Sequence, residues 1–368
     1  MAEYEKNYEF KLIKNMVVND CHVHLYNWYD DKAGGLNFME QLEKYRKDFK
    51  MSHINIVCIP FYSGYNISQN VLSSILKIEY PEYFVHGGLF YPNKPVTLPF
   101  PDGFTPQEQV EDMMSIGLDG IKMIETKPNC QKMLGIKLSD SLYDPYFTKL
   151  EEEQIHILCH AADPESFWDP DKFDSTHPEW NYSRGGYLSF EETHEDIYKV
   201  LEKHPDLNIT LAHMCFLENY PDKVVDLLEK HPNLTFDICP HLTMFVAMSK
   251  NRKTWIEFFN KYSDRILHGS DYCPSYGDIS TIGHDNLYRF LLTDDEFKFW
   301  NGMEAHGLKL DKSIAEKILG TNMYRIMGEK SKPINKDAFK EYVRKYEKYI
   351  TDQNKDKIFE YLEKNNLL

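Results

Sequence analysis

Short apolar runs alternate along the chain with longer stretches whose apolar residues recur every three or four positions. The strand-like runs are VVNDCHVH (17–24), INIVCIP (54–60), YFVHGGLF (83–90), DGIKMIE (119–125), IHILCHA (155–161), NITLAHM (208–214), LTFDICP (234–240) and RILHGSD (265–271). They are rich in Ile, Val and Leu or alternate apolar residues, as strands buried in a parallel sheet do. Between them, FMEQLEKYRKDFK (38–50), PQEQVEDMMSIG (106–117), YDPYFTKLEEE (143–153), HEDIYKVLEKH (194–204) and PDKVVDLLEKH (221–231) carry the i, i+3, i+4 spacing of amphipathic helices. Two end in a matching stop, EKHPDLNI and EKHPNLTF, where the proline ends the helix and a strand follows.

Eight strand–helix units over roughly 250 residues predict an α/β fold, a (β/α)8 TIM barrel. The competing architecture is a doubly wound open sheet, which calls for a glycine-rich phosphate turn after an early strand. No GxGxxG or GxxxxGK follows any of the eight runs. Residues 163–190 form a long polar and aromatic insertion after strand five, expected at the mouth of the barrel. The pattern places the barrel in residues 1–328 and a charged helical extension, packed on its outside, in residues 329–368.

Composition narrows the function. The chain has 42 basic and 58 acidic residues, a net charge of −16. That balance argues against a nucleic-acid backbone or an anionic membrane as the main partner. No apolar run approaches the roughly 20 residues of a spanning helix, and the first 15 residues are charged throughout, unlike a signal peptide. The seven cysteines are scattered without a CxxC pair, which suits reduced thiols and a cytoplasmic location.

Candidate chemistry sits at the strand ends. Fifteen histidines in 368 residues make a chance His-x-His pair unremarkable, so His22 and His24 alone carry little weight. They gain it from company. His160 ends strand five, His213 strand six and Asp271 strand eight, while Lys122 and Glu125 lie near the end of strand four. In a barrel those ends face the active site. Residues i and i+2 on a strand point to one side, so His22 and His24 can bind one ion, with His160 completing three nitrogens. Asp271 adds an oxygen, as ligand or as base to a water. Imidazoles with a carboxylate suit zinc, with manganese as the second choice, one ion per chain. Tyr26, Trp28 and Tyr29 follow the histidines, and Trp168, Trp180, Tyr182, Arg184 and Tyr187 lie in the insertion. An aromatic wall with one Arg would suit a carboxylate or aromatic acid; equally, the rings pack the loops together.

In this order DCHVH, GIK, the His160 strand, LAH and HGSD resemble the amidohydrolase superfamily, and more narrowly its "amidohydrolase 2" branch of metal-dependent hydrolases and decarboxylases. GTNMYRIM (320–327) is similar to a segment that follows the last barrel helix there, so the resemblance spans residues 17–328. It implies metal ligation by His22, His24, His160 and Asp271, and a polarising or proton-moving role for His213. Lys122 would be either a carboxylated second-metal ligand or a substrate contact, with Glu125 as a third option. The implied activity is hydrolysis of a small-molecule amide, cyclic amide or lactone by a metal-activated water. The alternative is non-oxidative decarboxylation of an aromatic or unsaturated acid, and a non-catalytic barrel is the remaining class. Related barrels suggest a homodimer.

Overall fold

The computed structural model describes residues 11–25, 37–62, 66–93, 95–172, 178–241, 243–274, 278–299, 302–351 and 355–368. Eight parallel strands pair in chain order: β1 (Val18–His24), β2 (Met51–Val57), β3 (Tyr83–Gly88), β4 (Gly120–Met123), β5 (His156–Cys159), β6 (Ile209–Leu211), β7 (Leu234–Asp237) and β8 (Ile266–Leu267). Each overlaps one of the eight apolar runs, and all but β2, which starts three residues early at Met51, fall inside theirs. The ring closes between β1 and the residues around the end of β8. Cys21 N–H donates to His268 O (2.9 Å), Asp271 N–H to His22 O (2.9 Å) and His24 N–H to Tyr272 O (2.8 Å). The chain therefore forms the expected (β/α)8 barrel.

Helices cover the outside of the ring, with ends set by local chemistry. Thr105 and Glu108 form a capping box ahead of Pro106–Ser115, with proline at the first helical position. Ser189 and Glu192 do the same for Phe190–Lys203, so that helix begins four residues before the apolar periodicity at His194 becomes visible. The insertion accordingly ends at Ser189. His204 and His231 close their helices, each donating its backbone N–H to the carbonyl four residues back.

Two elements differ from the expected pattern. A helix at Ser68–Glu79 follows β2; Val71, Leu72, Ile75, Leu76 and Ile78 recur along it with helical spacing, a period the sequence reading passed over. After residue 295, before the terminal helices, comes a short antiparallel hairpin, Glu296–Lys298 with Glu304–His306. The helix Lys336–Tyr346 packs on the helical layer: Lys345 Nζ donates to Asp112 (2.5 Å) and Asn70 Nδ2 to Tyr342 OH (2.9 Å).

The barrel interior is layered. At the N-terminal ends of the strands, Asn322 Nδ2 donates to the carbonyls of Ser263 (2.7 Å) and Ile266 (2.6 Å). This fixes the helix Asn322–Met327 beneath the ring, where Met323 joins a small apolar cluster with Cys21, Val57, Phe84, Leu158, Ala212 and Leu267. A polar floor runs across the same interior. Thr235 Oγ1 contacts Thr210 Oγ1 (2.7 Å), Thr210 Oγ1 contacts His156 Nε2 (2.8 Å), His156 Nδ1 contacts His86 Nε2 (2.7 Å), and His86 Nδ1 contacts Asn55 Oδ1 (2.7 Å). Asn55 Nδ2 donates to Cys21 O (2.9 Å). Gly120 makes room for this floor, since a Cβ there would sit 2.4 Å from His86 Nε2. Lys122, two residues further along β4, opens the layer that holds the candidate site.

Candidate active site at the barrel mouth

Six strand ends meet at the mouth. His22 is fully buried on β1. Its Nδ1–H donates to Asp237 Oδ2 at the end of β7 (2.9 Å), which leaves Nε2 with its lone pair. Lys122 Nζ donates to that lone pair at 3.0 Å. Asp271 Oδ1 lies 3.6 Å from His22 Nε2 and 3.1 Å from His24 Nε2. Donors on one tetrahedral zinc stand about 3.3–3.6 Å apart, which is close to the distance of Asp271 Oδ1 from each of these two histidines.

Asp237 organises this side of the mouth, and the sequence reading passed over it. Besides holding His22, its Oδ1 accepts from the backbone N–H of His213 (2.7 Å) and of Cys239 (3.1 Å). The one signal for it in the sequence is an acid interrupting the apolar run LTFDICP. His213 Nδ1–H donates to Cys239 O (3.1 Å), so its Nε2 keeps a lone pair that accepts a proton or a cation. Among the described residues, donor atoms of His22, His213, Cys239 and Asp271 lie within 4.8 Å of one another.

The backbone is strained here. His213, Met214, Cys215 and Phe216 all have left-handed φ angles, 54°, 52°, 55° and 55°, and Asp271 has 57°. A left-handed turn costs an L-residue about 1–2 kcal/mol, and such strain persists where surrounding contacts over-determine it. Phe216 wedges against the rings of His160 (5.4 Å), His213 (5.1 Å) and His241 (4.8 Å). His194 Nε2 contacts Cys215 O at 2.8 Å. Gly269 lets the HGSD turn pass close, since a Cβ there would sit 2.9 Å from His22 Cβ.

The remaining candidates divide. His160 stands at the mouth with its ring 5.0 Å from that of His213, but its Nε2 contacts Asp163 Oδ1 (3.2 Å) rather than the His22 group. Asp163 also takes Lys127 Nζ (2.5 Å) and Tyr182 OH (2.5 Å), which ties the insertion to the site. Glu125 is turned towards tyrosines: it accepts from Tyr91 OH (3.3 Å) and from the Ile124 N–H (2.8 Å), and burial pushes its carboxyl up to about 7. Trp168 donates from Nε1 to Leu188 O (2.8 Å) and packs on Tyr182 and Phe190. It also lines a groove of about 590 Å³ with Phe190, Glu218, Thr243 and Lys250. Arg184 is exposed. Tyr26, Trp28, Tyr29 and His177 lie outside the described residues. Asp20 is a brace, accepting from His22 N–H (3.1 Å), Ser270 N–H (3.1 Å) and Tyr45 OH (2.8 Å).

Electrostatics keep the imidazoles neutral. Burial, with Lys122 adding to it, holds His22 well below its ordinary value, and burial does the same for His213. Burial also pushes His160 down to about 4. Asp271 keeps 40% of its side chain exposed. Burial raises its carboxyl, but the hydrogen bond from His24 and the neighbouring imidazoles outweigh that and hold it well below the carboxylate range.

A parallel barrel whose C-terminal mouth gathers neutral imidazoles, carboxylates and a buried lysine has the architecture of a barrel enzyme. The chain belongs to the amidohydrolase family, whose sequence model matches residues 94–328. No curated protein matches it. Among solved structures, an amidohydrolase from Burkholderia multivorans with bound zinc is 10% identical, with a TM-score of 0.51 over 84% of this chain and 99% of its own. An uncharacterised TIM-barrel protein from Bordetella bronchiseptica is 14% identical, with a TM-score of 0.51 over 84% and 98%. The 5-carboxyvanillate decarboxylase of Sphingomonas paucimobilis is 12% identical, with a TM-score of 0.49 over 85% and 99%. At these identities the likeness is one of fold. No helix among the described residues is long and apolar enough to cross a membrane.

Proposed function

We propose that the chain is a metal-dependent hydrolase of a small-molecule C–N or C–O bond, in an amide, cyclic amide or lactone. The observation that carries this reading is the placement of His22, whose Nδ1 is held by Asp237 and whose Nε2 lies 3.6 Å from Asp271. A carboxylate behind a histidine fixes its tautomer and orients the other nitrogen for a metal. His22, His24 and Asp271 would hold the ion. When bound, a divalent ion polarises a carbonyl and brings the pKa of a water towards neutrality.

The chain's own groups supply the rest. Asp271, kept ionised, accepts the proton of the attacking water and returns it to the leaving nitrogen or oxygen. His213 offers a lone pair at Nε2 as a second acceptor. His160, oriented by Asp163, stands on the other side of the mouth, and Lys122 is the cation an acidic substrate group would meet. Zinc comes ahead of manganese for this donor set.

The test is metal analysis of the purified full chain together with two substrate panels. We expect about one equivalent of metal per chain and metal-dependent acid release from lactones or amides. Release of CO2 from aromatic acids, with no acid release from the first panel, would replace hydrolysis by decarboxylation. A folded chain that takes up no divalent ion would sink the reading.

A further inference from the structure

We propose that Cys239 is a metal ligand in this barrel, adding a sulfur donor to His22 and Asp271 and so selecting zinc or another thiophilic divalent ion over manganese. The inference deepens the metal-dependent reading above and rests on it. Three observations converge. First, the Cys239 sulfur belongs to the His22–His213–Cys239–Asp271 group, whose donor atoms lie within 4.8 Å of one another. Donors on a tetrahedral ion with one sulfur stand about 3.3–3.6 Å apart, so His22, Cys239 and Asp271 need a contraction of about 1 Å to share one and leave a position open.

Second, one buried carboxylate positions three of the four members. Asp237 holds the His22 ring by Oδ2 and the backbones of His213 and Cys239 by Oδ1. That is the arrangement by which outer partners orient metal ligands. Both imidazoles are fixed in the tautomer that leaves Nε2 as a lone pair, one by Asp237 and the other by the Cys239 carbonyl. Third, two of the four members, His213 and Asp271, adopt left-handed backbones, a strain found where geometry is dictated by function.

Cys239 is fully buried and forms no disulfide, so it is protected from oxidants that would compete for the sulfur. His22 and Asp271 belong both to the rim group with His24 and to this inner group. An ion shared by His22 and Asp271 would therefore lie within reach of the Cys239 sulfur. Soft thiolate donors favour zinc and cobalt(II), whereas manganese prefers oxygen.

The experiment is titration of the chelator-treated full chain with cobalt(II), zinc and manganese, read by absorption and by competition with a metal indicator. Cobalt should give a thiolate-to-metal charge-transfer band in the near ultraviolet. Cys239→Ser should abolish the band and weaken zinc by at least ~10-fold, while manganese changes by less than ~3-fold. Cys21→Ser, the other thiol in this wall, should keep the band. Circular dichroism and melting of each variant separate loss of a ligand from loss of fold, with Cys239→Ala as the second variant. Cobalt binding without a thiolate band, or a Cys239→Ser variant with unchanged zinc affinity, overturns the role of Cys239 and leaves the metal-dependent reading standing. Failure of the unsubstituted chain to bind any of the three ions overturns both.

Discussion

The barrel carries two polar clusters, and they are built on opposite terms. The floor, Asn55–His86–His156–Thr210–Thr235, is closed: read in one direction, every donor has an acceptor and both histidines are neutral. The mouth is open-ended. Its histidines are clamped from behind by Asp237 and by the Cys239 carbonyl; the other nitrogen of His22 meets the Lys122 ammonium, and that of His213 keeps its lone pair. Buried polar groups are costly unless satisfied. The floor meets that demand internally, so its histidines are structural. At the mouth the second nitrogen of His22 is met by a lysine cation rather than by a closed neutral network, and the backbone there is strained as well. Burial and residue type are the same in both places. What distinguishes a site from a core is what lies beyond the second nitrogen.

Substitutions should separate the two clusters, and the largest effect is expected at the mouth. His22→Ala should lose the metal and at least ~1000-fold in kcat/KM on any substrate the panels return, while its melting temperature in chelator stays close to that of the parent. Retained metal would show that the clusters do not differ in this way. Asp237→Asn comes next. It keeps the volume but weakens the brace on His22, and metal affinity measured by indicator competition should fall ~10- to 100-fold.

The floor should respond in stability rather than in metal binding. His156→Ala leaves His86 and Thr210 without their partner and should cost about 2–4 kcal/mol in denaturant unfolding, with metal affinity per folded molecule unchanged. The floor also predicts a pH dependence. Burial pushes His156 down to about 3 and holds His86 well below its ordinary value. Between the ordinary histidine value of about 6.5 and the folded values, the unfolded chain binds protons that the folded chain refuses. Stability therefore rises with pH across that window and is lost as pH falls from about 6.5 towards 3. Unfolding free energy followed from pH 7 to pH 4 should show this slope, and His156→Gln should flatten it; an unchanged slope would place the titrating groups elsewhere. The smallest effect is expected at Tyr182→Phe, which removes one hydrogen bond to Asp163 and should cost about 1 kcal/mol of stability.

Much of this molecule was legible in one dimension. Strand number and order follow from eight apolar runs, because a strand buried on both faces must be apolar along its length. His22, His24, His160, His213 and Asp271 stood out because polar groups ending such runs must lie at one rim. The helix Ser68–Glu79 was legible in the recurrence of Val71, Leu72, Ile75, Leu76 and Ile78 and was passed over. Asp237 was hidden: a lone acid in an apolar run looks the same whether it caps a loop or clamps a histidine.

The sequence by itself determined the barrel and the rim on which its chemistry stands, since both depend on local period and strand polarity. Only the tertiary structure decided which donors meet. Closure of the ring sets β1 beside the end of β8, and Asp237 at the end of β7 reaches His22, 215 residues away in the chain. The same carboxylate brings Cys239 into the group, while packing elsewhere in the fold turns Glu125 among tyrosines and closes the floor histidines on each other. Such distances depend on how strands close in space, and no spacing along the chain encodes them.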